Sequence, residues 1–261
     1  MSYRVSELVD RYQSDAASPF QKLCHQTRVE RARILARIKR EHGNKHLKQI
    51  GSTTTARWAA NWEASGKAAG TNKLVSTLRE VVRYGNTALG DRDCKRLLPA
   101  LEGLQLQSSP PRNVRMTEDQ AIAIRNKARE IGYFSVALAQ ALQFELRLSQ
   151  KDVIGEWVPL DEPQASDVTL GKCKWVRGIN WPEIDESLIL QQHGAPPVNL
   201  ATAPMVMEEF HHVPDWQHDA GGPVIVCEHS SYPWHAPEFR RIWRSIADLC
   251  NVPKDVRNTD V

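Results

Sequence analysis

Residues 142–157 read LQFELRLSQKDVIGEW, an apolar helix pattern that carries a dense row of polar groups into the start of a strand. Phe134, Leu138, Ala141, Leu142, Glu145 and Leu148 recur at helical spacing. An apolar stripe can therefore lie on a core while Arg147, Gln150 and Lys151 project elsewhere. GEWVPL, which follows without a break, has the composition of a strand. A helix ending in a polar cluster and feeding a small sheet is a common place for a site. The same pattern also describes an amphipathic helix with a solvated end.

Downstream, KCKWVRGI and SLILQQ read as two further strands, and Asp161 to Asp167 reads as an insertion between the first two. Three short strands predict a small antiparallel sheet. Pro204 suits the first turn of a helix to about His212. Ala236 to Cys250 is a further helix, with Phe239, Ile242, Trp243, Ile246 and Leu249 on one face. Upstream, Thr117-Glu118-Asp119-Gln120 is a capping box. It opens a helix at Glu118 that runs to about Ile131, where Gly132 ends it. Leu106 to Arg115, with Ser108-Ser109-Pro110-Pro111, has the composition of a linker and sets a domain boundary.

Before that linker the pattern is helical throughout. Ser6 to Tyr12 is short and amphipathic. Thr27 can cap a helix to about His42, with Val29, Ile34, Leu35 and Ile38 apolar and Gly43 as its stop. Trp58 and Trp62 sit at i and i+4 on a helix from Thr55 to Ala64, where they read as core anchors. A third helix opens at Thr71, and a fourth surrounds Leu97 to Leu101. The fold class is mainly α with a small antiparallel sheet: an all-α domain over residues 1–107 and an α+β domain over 116–261.

The chain of 261 residues is 41% hydrophobic, enough for two cores and too much for a disordered chain. No apolar run approaches the ~20 residues needed to span a bilayer, and the first residues lack a secretory signal, so a cytoplasmic protein without a membrane partner is expected. Cys24, Cys94, Cys173, Cys227 and Cys250 are scattered and form no CxxC pair, so they read as ordinary thiols. The formal charge of +3 conceals an asymmetry. Residues 1–107 hold 19 Lys and Arg against 10 Asp and Glu, while residues 108–261 hold 15 against 21. Between Lys22 and Lys48 lie nine basic residues and two acidic ones, Glu30 and Glu41. That concentration is an electrostatic footprint for a polyanion, the alternative being a solvated helix face. Its members after Lys22 are Arg28, Arg31, Arg33, Arg37, Lys39, Arg40, Lys45 and Lys48, the candidate DNA-binding residues.

The order of elements, with Ile179-Asn180-Trp181-Pro182-Glu183-Ile184-Asp185, the strand Leu188-Ile189-Leu190 and the helix opened by Ala203-Pro204, resembles the tyrosine recombinases, the phage-integrase family. FRRIWRSIADLCNVPKDVRNTDV is similar to that family's approach to its second catalytic box. The likeness covers nearly the whole chain. Residues 1–105 resemble the helical core-binding domain, one half of a clamp around duplex DNA, and 116–261 resemble the catalytic domain. The resemblance implies double-stranded DNA and other recombinase protomers as partners, a role in DNA integration and recombination, and no cofactor.

The family's chemistry uses a tyrosine nucleophile, two arginines and a histidine or similar donor on the scissile phosphate, and a hairpin lysine as general acid. The register set by Asp152-Val153-Ile154 puts Ser149 at the first arginine position, with Arg147 two residues away and about 200° round a helix. Arg147 is therefore an out-of-register candidate. The hairpin reads Gln191-Gln192-His193-Gly194-Ala195-Pro196-Pro197-Val198, with no lysine. Thr259 stands at the histidine of the second box, and the next arginine and the tyrosine have no counterpart up to Val261. A catalytic domain incomplete at its C-terminus, and a chain inactive in strand cleavage by itself, are expected.

Two other readings stand beside this one. His211, His212, His218, His229 and His235 lie within 25 residues, beside Asp215, Asp219 and Cys227, and such groups suit zinc or iron. None shows the HxxxH or HExxH spacing that fixes two ligands on one helix face, so a histidine-rich loop is the simpler reading and no metal is assigned. The third reading is a non-functional remnant of a mobile element.

Overall fold

The capping box at Thr117 is present. Thr117 Oγ1 accepts from Gln120 N at 3.3 Å, and Gln120 Oε1 accepts from Thr117 N at 3.0 Å. The helix it opens spans Glu118–Glu130. The computed structural model describes residues 2–66, 68–107, 113–192, 194–213 and 221–261. The expected linker residues 108–111, together with His193, Asp215, His218 and Asp219, lie outside them.

Two compact units divide the chain at Pro111 and Arg112. The first is built from α1 (Val5–Ser14), α2 (His25–His42), α3 (Ser52–Ser65), α4 (Ala68–Thr87) and α5 (Arg92–Glu102). Leu8, Val9, Tyr12, Leu35, Ile38, Leu78, Val82 and Leu97 meet in its core, with Trp58 and Trp62 buried among them. Because these residues recur at three- and four-residue spacing, each helix turns one stripe inward. α2 starts at His25 with Cys24 as its N-cap, one turn earlier than the expected Thr27 cap; Thr27 Oγ1 instead lies 3.1 Å from Cys24 Sγ.

The second unit holds α6 (Glu118–Glu130), α7 (Phe134–Leu146), the short α8 (Gln150–Ile154), α9 (Pro204–Phe210) and α10 (Ala236–Leu249). α7 is its axis: Val136, Ala137, Leu138, Ala139, Ala141 and Leu142 are buried on all sides. The expected single helix through Leu148 does not form. Arg147 takes the left-handed conformation at φ 57 and ψ 25, ending α7, and Ser149 then caps α8 by accepting from Asp152 N at 3.3 Å. That side-chain cap favours a fresh helix start over continuation.

The three expected strands also do not share one sheet. β1 (Glu156–Pro159) and β2 (Thr169–Leu170) flank β3 (Cys173–Val176), both antiparallel. β4 (Ile189–Leu190) instead pairs with β5 (Val198–Asn199). Gly155 and Gly178 flank the first sheet and pack against Trp175. A Cβ on either would fall inside the Trp175 indole, whose Nε1 donates to Ile154 O at 2.8 Å. β4 is also tied by an isolated bridge to Ile184, so Ile184, β4 and β5 pair apart from the first sheet.

Candidate functional site

Two groups of residues carry the candidate chemistry, one in each unit. In the first unit, α2 and the segment just after it, which holds Lys45 and Lys48, display the basic cluster, and the fold divides it in two. Arg28 donates to Leu23 O at 2.6 Å, Arg31 pairs with Glu80, Arg37 pairs with Glu41 at 2.8 Å and bonds Ser65, and Lys39 pairs with Asp10 at 2.5 Å. These four lock α2 to its surroundings. Glu41 also accepts from Trp62 Nε1 at 2.6 Å, and His42 stacks on Trp58 with ring centroids 3.8 Å apart. Burial opposes ionisation of Glu41, but the bonds from Arg37 and Trp62 outweigh it and hold the carboxyl below its usual range. Arg33, Lys45 and Lys48 are exposed and carry no ion pair among the described residues, and Arg40 is 74% exposed at 3.8 Å from Glu41. α2 buries Leu35 and Ile38 on its packed side, and four of the eight cationic groups make ion pairs or hydrogen bonds that hold it there.

In the second unit, the three segments at which the resemblance places phosphate-holding groups converge on α8. Ser149 is the N-cap of that helix. Gln192, from the β4–β5 hairpin, donates through Nε2 to Asp152 O at 2.9 Å. Asn258, beside Thr259, donates through Nδ2 to Gln150 Oε1 at 2.9 Å, and both residues are buried. The helix is further fixed by Arg177, whose guanidinium binds Asp152 at 2.8 Å. Burial opposes ionisation of Asp152, while the bonds from Ser149 and Arg177 prevail and lower its pKa. Nothing in the sequence singles out Arg177; its positive φ of 78 is invisible there.

Arg147 lies outside this convergence. It occupies the break between α7 and α8, exposed, with its guanidinium 5.4 Å over the Phe144 ring. Rotation about a continuous helix therefore does not describe its relation to Ser149; a left-handed residue does. Beside Asn258 and Thr259, a cavity of about 320 Å³ is lined by Gln150, Arg240, Arg244, Lys254 and Arg257. Arg244 is committed to structure, donating to the carbonyls of Val252, Pro253 and Val256. Arg240, Lys254 and Arg257 are exposed. Sequence reasoning missed this cationic rim, although Arg240 stands on the amphipathic α10 and Lys254 and Arg257 in the segment quoted for the second box.

Of the histidines, His211 ends α9, and His212 Nε2 lies 3.2 Å from Arg129. His229 lies beside Tyr133 at 5.2 Å, and His235 stacks on Trp157 at 5.3 Å. They do not converge on one point.

This pair of units, a helical bundle followed by a mixed unit with a short helix gathering three distant segments, has the fold of solved integrase structures. A lambda integrase dimer bound to a COC′ core site is similar at TM-score 0.70 and 15% identity, over 99% of this chain and 68% of that one. A lambda integrase tetramer bound to a Holliday junction is similar at TM-score 0.69 and 16% identity, over 97% of this chain and 65% of that one. The Tn1549 transposon integrase (residues 82–397), in complex with circular intermediate DNA, matches at TM-score 0.63 and 13% identity, over 99% of this chain and 84% of that one. The chain thus spans about two thirds of the length of the lambda integrase chains in the first two. No protein-family signature matches the sequence, and no curated protein matches it. Among the described residues, no helix is long and apolar enough to cross a membrane.

Proposed function

We propose that this chain is a tyrosine-recombinase-like DNA-binding protein of DNA integration and recombination, and that these 261 residues by themselves do not cut and rejoin DNA. The convergence on α8 carries the reading. Residues 1–107 act as the core-binding domain and 116–261 as the catalytic-type domain, with double-stranded DNA and other protomers as partners and the cytoplasm as the place of work. Phosphate contacts from Arg33, Arg40, Lys45 and Lys48 supply affinity with little sequence information. Arg28, Arg31, Arg37 and Lys39 shape the surface that presents them.

Inactivity in cleavage follows from the same positions. Ser149 and Gln192 can donate a hydrogen bond but bring no charge to a developing phosphorane, and loss of one positioned donor costs on the order of 10² to 10³ in rate. Arg147 is held at the helix break and does not substitute for a cation at Ser149. The test is a suicide substrate, a duplex nicked beside a candidate site, incubated with the 261-residue chain and resolved on a denaturing gel. Retarded duplex in a native gel without a covalent adduct is the expected result. An adduct mapped to any tyrosine of this chain would overturn the inactive reading, with exposed Tyr232 the first to replace.

A further inference from the structure

Apart from the DNA-binding surfaces, Cys227, Glu228 and His229 present one thiol sulfur, one carboxylate oxygen and one imidazole nitrogen within 4.8 Å of one another. We propose that these three residues bind a divalent transition-metal ion, with zinc the best fit. Around zinc, bonds of 2.0 to 2.3 Å at tetrahedral angles bring neighbouring donors to about 3.3–3.8 Å. The donors need to close by at most about 1.5 Å, and the exposed His229 side chain can turn towards Cys227 and the fixed Glu228 to do so. Thiolate with imidazole disfavours magnesium and calcium, which take oxygen ligands.

The surroundings hold the donors as a site requires. Cys227 N donates to Tyr232 O, and Ser231 N donates to Cys227 O, each at 2.9 Å, so residues 227–232 form a closed turn. Glu228 is oriented by the start of α7: its two oxygens accept from Ser135 N at 2.5 Å and Ser135 Oγ at 3.0 Å. Ser135 Oγ in turn accepts from Trp234 Nε1 at 2.9 Å. Such outer contacts fix a ligand's geometry and sharpen its affinity.

A second observation lies next to the first. A cavity of about 270 Å³ is lined by Cys227, Glu228, His212 and Glu209. Glu209 is 1% exposed, and its Oε2 has no hydrogen-bond partner among the described residues. A buried acceptor left open in a cavity that also borders two metal-type ligands calls for a donor, and water on a bound ion is one. The cavity gives such a water room beside the ion.

The test uses the full chain stripped by chelator and titrated with cobalt(II), then with zinc in competition. One equivalent of cobalt should bind, with a near-ultraviolet thiolate-to-metal charge-transfer band. Cys227→Ser should abolish the band. His229→Ala, an exposed and structurally mild change, should weaken zinc at least by the about 10- to 100-fold that loss of an outer partner costs. His211→Ala and His235→Ala should leave binding unchanged. Absence of the band in the unaltered chain overturns the proposal, as does zinc affinity that survives His229→Ala or is lost in His235→Ala.

Discussion

The division of the basic cluster on α2 makes a quantitative prediction about DNA affinity. A lysine or arginine that meets a phosphate releases about 0.9 of a counterion, so each lost contact lowers the salt slope of log affinity by about 0.9. Arg33, Arg40, Lys45 and Lys48 have no short intramolecular pair among the described residues and can meet phosphates without giving anything up. Replacing all four by alanine should lower the slope by about 3.6 if each makes one contact. Arg31 and Lys39 would first have to leave Glu80 and Asp10. Arg31→Ala with Lys39→Ala should therefore change the slope by less than about 1 while lowering thermal stability. Fluorescence anisotropy of a labelled duplex, titrated over a series of salt concentrations, reads both slopes directly. Equal slope losses in the two variants would refute the division, and an unchanged slope in the fourfold variant would remove the exposed cations of α2 and of the segment after it from the interface altogether.

Other consequences can be measured on the same protein. Arg125 and Glu209, 2% and 1% exposed, pair at 2.7 Å; Arg125→Met leaves the carboxylate buried and should cost about 3–5 kcal/mol in urea unfolding of the second unit, and a cost below about 1 kcal/mol would show that the pair is not needed. Gly155 stands at φ 74 and ψ −169, so Gly155→Ala should cost at least the about 1–3 kcal/mol of an unfavourable backbone conformation, plus the clash with Trp175; a melting temperature equal to wild type would contradict this. Hydrogen bonds from Arg129, then Arg125, depress Glu208 to about 2, below the ordinary 4.5 of the unfolded chain. Its stabilising contribution is complete above about 4.5 and is lost as pH falls from there towards 2. Burial raises the pKa of neighbouring Glu209 and works in the opposite sense, so the comparison is made on Glu208→Gln, which should flatten the acid decline of the urea midpoint; an unaltered decline would assign it to other groups.

What the sequence discloses, and what it conceals, follows the range of the interactions. The cap at Thr117, the proline start of α9 and the apolar stripe of α10 are decided within four residues, and they stand as read except that Leu249, at the end of the stripe, is exposed. The break at Arg147 is concealed because Leu148 keeps the helical period although the cap at Ser149 ends the run. β2 and β5 are two residues each, too short to show alternation. Which cations of α2 are committed depends on Glu80, 49 residues from Arg31, and on Asp10, 29 residues from Lys39. Periodicity holds no record of such partners. The meeting of Ser149, Gln192 and Asn258 at α8 is legible only through family resemblance, since the three are spread over more than a hundred residues. Cys227 and His229 are visible in the sequence as potential ligands, whereas Glu228 between them carries no signal of its own there.

The bond from Met116 N to Asp260 O, 2.6 Å long, joins the residue just before α6 to a segment 144 positions later. Asn258 makes the companion link to Gln150, and Val256 and Val252 complete the same core as Ala121 and Ile124. On the ribosome, the second unit therefore cannot close until residues near 260 have cleared the exit tunnel. Until then α7, buried on all sides in the finished unit, waits with part of its covering missing. Chains carrying such long-range closures fold late and expose sticky surface meanwhile. A nascent chain stalled at residue 240 should accordingly hold the first unit folded and the second bound by chaperone.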